Sequence, residues 1–317
     1  MSLGRTFRLN SGYEIPAVGL GTWLSKPHEV ENAVEAALRA GYRHIDAAAI
    51  YQNESEVGSG WKKSGVPREE IFLWNTHHHP ENVEEAVNKT LKDLQTDYLD
   101  LYLIHWPVAF IYQNNFQPPL DPVTKRFRLA DVPISETWKA LENLVDSGKV
   151  RSIGQDRRAS QDREDPSGCE LNRGASILAA VQAHGVLEGE GGQSSNILPV
   201  AYSPLGNNIF DLPRVIDDPQ VIEIAKKLNK DPAILLISWA AQRGTAVLPK
   251  SVTPSRIESN FKDFIIPDAE FEALNKLDRN TRYNYPFRWG IGIFGELGAE
   301  EAERRAEEFA VKLREEA

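Results

Sequence analysis

The chain has 317 residues, 41% of them hydrophobic, enough for one large domain or two smaller ones with a substantial core. A formal charge of −10 makes most of the surface repel nucleic acid and anionic lipid, so no nucleic-acid partner is expected. The single cysteine, Cys169, excludes an internal disulfide, and no apolar run approaches the roughly 20 residues that span a bilayer; with no secretory apolar region after Met1, a soluble cytoplasmic protein without a membrane partner is expected.

Residues 7–15 read as a hairpin turning at Ser11 and Gly12. Short apolar strands then alternate with amphipathic helices, the pattern of βα units and a parallel sheet. A strand at 17–22 precedes a helix at 29–40, where Val30, Ala33, Val34, Ala37 and Leu38 recur at helical spacing. Strands at 44–48, 71–74 and 98–105 alternate with helices at 54–63 and 81–94. The connection 107–133 has a length that is usually functional or mobile. A helix at 136–147, ended by Gly148, leads into a strand at 150–154. After a polar stretch come a strand at 197–203, helices at 219–228 and 234–242, a strand at 245–249, and helices at 254–260 and 271–277. The run Glu300 to Glu308 reads as a solvated helix face.

Asp46 ends one strand, Tyr51 lies in the loop after it, and His105 ends another strand. A lone tyrosine or histidine is usually a packing residue, but in a parallel α/β barrel the chemistry gathers at the C-terminal ends of the strands, so these three converge on one pocket. Together with Gly19-Leu20-Gly21-Thr22-Trp23 and Leu248-Pro249-Lys250-Ser251-Val252-Thr253, they resemble the aldo-keto reductases, NADP(H)-dependent carbonyl reductases built on a TIM (β/α)8 barrel. The resemblance covers residues 7 to about 154 and 196 to about 317, with the blocks in the family's order. It implies a single barrel domain over 1–317 that reduces aldehydes, aldoses or small ketones.

By that resemblance Tyr51 is the general acid, His105 orients and polarises the carbonyl, and Asp46 is the carboxylate that pairs with a lysine to tune the phenol. The lysine belongs in a block resembling Phe-Ile-Thr-Ser-Lys-Leu-Trp-Asn, whereas this chain passes from Ile71-Phe72 to Leu73-Trp74-Asn75, about four residues short. Lys62 and Lys63 lie on the preceding helix and are expected to be solvated. Positioned acid–base groups contribute roughly 10²–10⁴-fold to rate, so the chain is expected to be a poor catalyst.

No Gly-x-Gly-x-x-Gly follows a strand, and the glycine-rich run from Gly189 to Gly192 carries glutamates that repel phosphate. The cofactor candidate is Lys250, Ser251, Val252 and Thr253 with Arg256 and Asn260, where ammonium, hydroxyl and guanidinium suit the 2′-phosphate of NADP and Asn260 matches a residue on the adenine. Ser259 stands where many relatives place a glutamate. Tyr202 matches the residue that stacks on the nicotinamide, Ser203 and Leu205 match pyrophosphate contacts, and Thr22 and Trp23 border the cofactor. Trp23, Trp74 and Trp106, each following a strand, match an apolar substrate pocket that Trp289 of the C-terminal loop closes. The consecutive His77, His78 and His79 do not share a face, and no metal site is expected.

The sixth of the eight strands should lie between Gly154 and Asn196, and there the chain is too polar to offset the entropy of ordering it. The sixth strand is therefore expected to be disrupted or absent and 155–195 to be an aberrant, disordered segment with at most a helix at 175–187. The family's nicotinamide anchors fall in the same place. Codons compatible with Arg163 to Glu170, read one base out of phase, can spell Ala-Arg-Ile-Pro-Pro-Ala-Val-Asn, like the family's lead-in to that strand, and those for Arg173 to Ser176 can spell Glu-Ala-His-Pro, like its end. The hypothesis is a frame shift or misassigned splice sites; a transcript that reads through in this frame refutes it. Two rival readings follow: a protein that holds NADP(H) without catalysis, and a non-functional product of a disrupted gene.

Overall fold

Antiparallel pairing of β1 (Thr6–Arg8) with β2 (Glu14–Pro16) opens the computed structural model, which describes residues 2–76, 82–106, 108–113, 118–156, 169–172, 198–206, 213–277, 287–291 and 298–316, with backbone alone at 74–76, 155–156, 169–172 and 287. The hairpin turns where expected, Leu9 N–H donating to Tyr13 O at 2.8 Å. Its Leu9 and Ile15 are buried against Phe72, Leu101, Leu103, Val200, Ala246 and Leu248, so the hairpin is the apolar floor of what it adjoins.

β3 (Leu20–Gly21), β4 (His44–Asp46), β5 (Phe72–Thr76) and β6 (Leu101–Ile104) pair in parallel, and each is followed by a helix packed outside the sheet. α1 (Glu29–Ala40) has the predicted bounds and buries the five apolar residues of its stripe. α2 (Glu54–Ser64) packs close between α1 and α3 (Val83–Leu94) because it lacks side chains at two contacts: a Cβ on Gly60 would lie 2.4 Å from Glu31 O, and one on Gly58 would lie 2.6 Å from Asp93 O. In the described part of the long connection after β6, β7 (Ala109–Phe110) pairs antiparallel with β8 (Leu129–Ala130) ahead of α4 (Ile134–Asp146).

The sheet continues through β9 (Ile153–Asp156), β10 (Cys169–Asn172), β11 (Pro199–Tyr202) and β12 (Ala246–Leu248), with α5 (Pro219–Lys227) and α6 (Pro232–Gln242) between the last two. Parallel bridges Val18↔Val247 and Gly21↔Lys250 join the first strand to the last, so the eight-stranded sheet closes into a barrel. α7 (Pro254–Asn260), α8 (Asp268–Asn275) and α9 (Ala299–Glu315) complete the described α-helices. Among the described residues no helix is long and apolar enough to cross a membrane.

Two expectations are corrected here. The sixth strand is neither absent nor broken: β10 pairs in parallel with β9, Glu170 opposite Gln155, and with β11, Leu171 opposite Val200. Its sequence has a single large apolar residue, and the ladder edges of the two neighbours specify the strand instead. The expected disorder over the rest of 155–195, the helix at 175–187 and the run Gly189 to Gly192 lie outside the described residues. Secondly, β5 runs two residues beyond the predicted strand at 71–74, so Trp74, registered with Asp46 of β4, is followed by two further strand residues and not by a loop.

The register of β5 has a physical cause. Leu73 N–H donates to Asp100 Oδ2 at 3.0 Å, and the buried Asp100 carboxylate also takes Arg68 Nη2 at 2.8 Å and Arg151 Nη1 at 3.0 Å. Both guanidinium groups lie 3.9 Å from the ring centre of Tyr98. A buried carboxylate that takes a backbone donor from β5 resists a slip of that strand, since one step would withdraw the Leu73 donor while both guanidinium groups stayed in place.

Inside the barrel His44 is fully buried, its Nδ1 2.9 Å from Pro16 O, its Nε2 without a partner among the described residues. Burial lowers its pKa to about 4, against a smaller opposing effect of the Pro16 contact. An unfolded histidine titrates near 6.5. Between these values the unfolded chain binds more protons than the native one, so stability falls as pH drops from about 6.5 to about 4 and is indifferent to this group above that range. Urea unfolding at pH 7 and 4.5 should show the wild type losing about 2 kcal/mol more than His44→Gln over that interval; equal losses would contradict the assignment.

Candidate active site

The ends of four adjacent strands line up. Trp74 is registered with Asp46, Asp46 with Gly21, and Gly21 with Lys250. Two strand spacings thus separate Asp46 from Lys250, about 10 Å across the sheet. Asp46 is buried, and its carbonyl accepts Thr22 Oγ1–H at 2.8 Å. Asn53 Nδ2 donates to Thr22 O at 3.0 Å, which fastens the loop after β3 to the start of α2. A 3-10 turn at Ala49–Tyr51 carries Tyr51 out of β4, with Gln52 at φ 57 directly after it.

Tyr51 and His105, expected to converge, do so: their ring centres are 5.7 Å apart with the planes at 89°. Both are half-buried. The rings continue outward. His105 and Trp106 are 6.3 Å apart, Trp106 and Trp289 4.8 Å and edge-on, and Trp289 and Phe110 5.2 Å. Trp289 is itself buried, its Nε1 without a partner among the described residues. Trp23 follows β3 and is half-buried, while the side chain of Trp74 lies outside what is described.

Lys250 stands two residues past the end of β12 and donates to Leu24 O at 2.9 Å, the carbonyl of a residue at φ 55. Burial lowers its pKa. Ser251 is buried and its Oγ accepts Thr253 N–H at 3.1 Å; Val252 is half-buried, Thr253 and Arg256 are exposed, and Asn260 is buried at the end of α7. Tyr202 ends β11 in register with Leu248. Ser203 after it sits at φ 51, a conformation that costs a non-glycine residue energy and is found most often where a site requires it. The chain then doubles back, Ile216 N–H donating to Leu205 O at 3.1 Å.

No lysine stands in β5, whose residues are Phe72, Leu73, Trp74, Asn75 and Thr76. Lys62 and Lys63 do not turn toward the site: Lys62 Nζ lies 4.0 Å from the ring centre of Trp61, and Lys63 is paired with Glu31. Among the described residues no three histidine, cysteine or acidic side chains group as a metal site; His77, His78 and His79 lie outside them.

The sequence profile of the aldo/keto reductase family matches residues 17–162. Aldo-keto reductase family 1 member A1 of Rattus norvegicus is 41% identical over 298 residues, 88% of this chain and 90% of that protein, and its Homo sapiens counterpart is 42% identical over the same shares. The chain belongs to the aldo/keto reductase family. An uncharacterized oxidoreductase of Schizosaccharomyces pombe is 42% identical over 296 residues, 88% of this chain and 90% of that one. The aldose reductase of Schistosoma japonicum superposes with a TM-score of 0.82 at 35% identity over 93% of this chain and all of that one, the relation expected of two (β/α)8 barrels.

Sequence reasoning missed several residues of this aldo/keto reductase. Asn53 precedes α2 where a capping residue is expected, yet it makes no cap and spans to Thr22 instead, with its Oδ1 buried and unpartnered among the described residues. Glu54, buried in the first turn of α2, faces the interior phenol Tyr102, whose pKa is raised well above normal by burial first and by Glu54 second. An asparagine before a helical stripe signals only a cap, so neither contact was readable from the pattern.

Proposed function

We propose that this protein reduces small carbonyl compounds, whether aldehydes, aldoses or small ketones, to alcohols with NADPH, and that the missing lysine of β5 holds its turnover low. The observation that carries this reading is the edge-on contact of Tyr51 and His105 at 5.7 Å beside the row Asp46, Gly21, Lys250.

The residues present suit the cofactor. Lys250 is partly withdrawn from water, and Leu24 O takes one of the three donors of its ammonium, so an anion has both charge and donors to meet. Arg256 is exposed one turn into α7, and Asn260 closes the same helix, in keeping with a 2′-phosphate and an adenine. Tyr202, Ser203 and Leu205 line the loop after β11, and Thr22 and Trp23 the loop after β3. When bound, NADPH supplies the hydride.

Tyr51 holds the proton that the carbonyl oxygen takes up, and His105 beside it fixes the orientation of that oxygen. A phenol ordinarily has a pKa of about 10, and a nearby cation would make it a readier donor; without one the transfer is slow. Trp23, Trp106 and Trp289 form the apolar side of the substrate site. The lone Cys169 and the acidic balance favour the cytoplasm as its location and disfavour nucleic acid as a partner.

Titration of NADPH fluorescence and benzaldehyde-dependent NADPH oxidation together test the reading. Saturable binding with slow oxidation above the buffer rate is expected. Binding without any oxidation would identify a holder of NADPH and overturn the enzymatic reading, and absence of binding would overturn both.

A further inference from the structure

The fragment Phe287–Ile291 carries Trp289 into the ring cluster beside His105, and the fold shows what keeps it there. α9 buries Ala302, Ala306 and Ala310, and its other face meets the β7–β8 connection. Arg126 of that connection forms a two-pronged pair with Glu303, Nη1 to Oε1 at 2.8 Å and Nη2 to Oε2 at 2.7 Å, and Nη1 also reaches Glu307 Oε2 at 3.2 Å. Arg314 bonds Glu307 Oε1 and Thr124 O, each at 2.5 Å, so the contact runs along three turns of α9. Phe127, next to Arg126, stacks on Phe309 at 6.3 Å and meets Phe110 at 6.0 Å.

Gly290 connects this clamp to the site. It lies at φ 75, and a Cβ there would stand 2.7 Å from Arg126 Nη2, 3.1 Å from Glu303 Oε2 and 3.4 Å from Ala306 Cβ. The backbone beside Trp289 therefore rests directly on the ion pair. An exposed pair of single contacts contributes little, but this one is bidentate, shared between two carboxylates and three-quarters covered at Arg126, at 23% exposure.

We infer that Arg126 is a positioning residue: its fork to Glu303 sets where Gly290, and with it Trp289, stands against Trp106 beside His105, and so which carbonyl substrates fit. The inference rests on the proposed reductase reading for its effect on substrate, but not for its effect on Trp289. Arg126→Met removes the charge and keeps much of the bulk; Arg126→Lys keeps the charge and loses the fork; Arg126→Glu with Glu303→Arg restores a pair in reverse.

Acrylamide quenching of tryptophan fluorescence, with each variant compared with its own Trp289→Phe derivative, isolates the Trp289 signal. Its quenching constant should rise about 3-fold in Arg126→Met, less in Arg126→Lys, and return toward wild type in the reversed pair, as expected for coupled neighbours. In NADPH oxidation the KM for benzaldehyde should rise about 5–10-fold in Arg126→Met while kcat stays within about 2-fold, because uniform binding is lost and not transition-state contact. Unchanged quenching in both single variants, or a reversed pair no better than Arg126→Met, overturns the inference. Should Arg126→Met fail to fold by circular dichroism, Arg126→Lys and the reversed pair decide the matter alone. If no form of the protein oxidises NADPH, the reductase reading falls, and quenching still decides the clamp.

Discussion

Tyr51→Phe should lower benzaldehyde-dependent NADPH oxidation by about 10²–10⁴-fold, the usual contribution of a positioned acid–base group, and leave NADPH binding within about 2-fold. The substitution deletes one oxygen. The ring that meets His105 edge-on at 5.7 Å is retained, and so is the 3-10 turn at Ala49–Tyr51, which is held by backbone bonds. A fall in kcat and in kcat/KM by the same factor would mark an interaction made only in the transition state. His105→Gln keeps a hydrogen-bonding group while changing its direction, and a smaller loss with altered KM is expected. If Tyr51→Phe keeps more than about a tenth of wild-type turnover, the proton comes from elsewhere and the role proposed for Tyr51 is lost.

Much of the scaffold was legible because periodicity reports burial directly. Val30, Ala33, Val34, Ala37 and Leu38 face the sheet from α1 as their spacing predicts, and Asp46 and His105 stand at strand ends. The rest was hidden where structure is specified from outside the segment. β10 is a strand because β9 and β11 present ladder edges on either side, and Cys169-Glu170-Leu171-Asn172 alone carries no alternating pattern to reveal it. The extension of β5 past Trp74 to Thr76 was equally hidden. Sequence shows that the block is short but not whether the strand shortens or its following residues slide into it, and the choice is made by Asp100, which holds Leu73 from just before β6. Arg126 meets Glu303 across 177 positions, a distance over which no local pattern carries information. The packing of the Trp289 ring between Trp106 and Phe110 was hidden for the same reason, since its partners lie far away in the sequence.

The filling of β5 by the residues that remain suggests a sharper test of the missing cation than insertion alone. Adding Ile-Thr-Ser-Lys between Phe72 and Leu73 would make the first five strand residues Phe, Ile, Thr, Ser and Lys, so the lysine would take the backbone place that Thr76 now holds, opposite Leu103 and two residues past the partner of Asp46. Thr76→Lys brings an ammonium to that same place and leaves Leu73 under Asp100 undisturbed. Both variants should raise kcat, by about 10-fold or more for Thr76→Lys and up to about 10²–10⁴-fold for the insertion, which also releases Trp74 to follow the strand. The pH profile distinguishes chemistry from repair of the fold. A cation favours the deprotonated phenol, so the alkaline limit of activity should move to lower pH in Thr76→Lys, and the gain should vanish in Tyr51→Phe/Thr76→Lys. A gain that survives loss of the phenol would have to come from better packing or cofactor binding. No gain in either variant, in protein that binds NADPH, would mean that Asp46, Tyr51 and His105 do not form the acid system at all, however well the barrel aligns them.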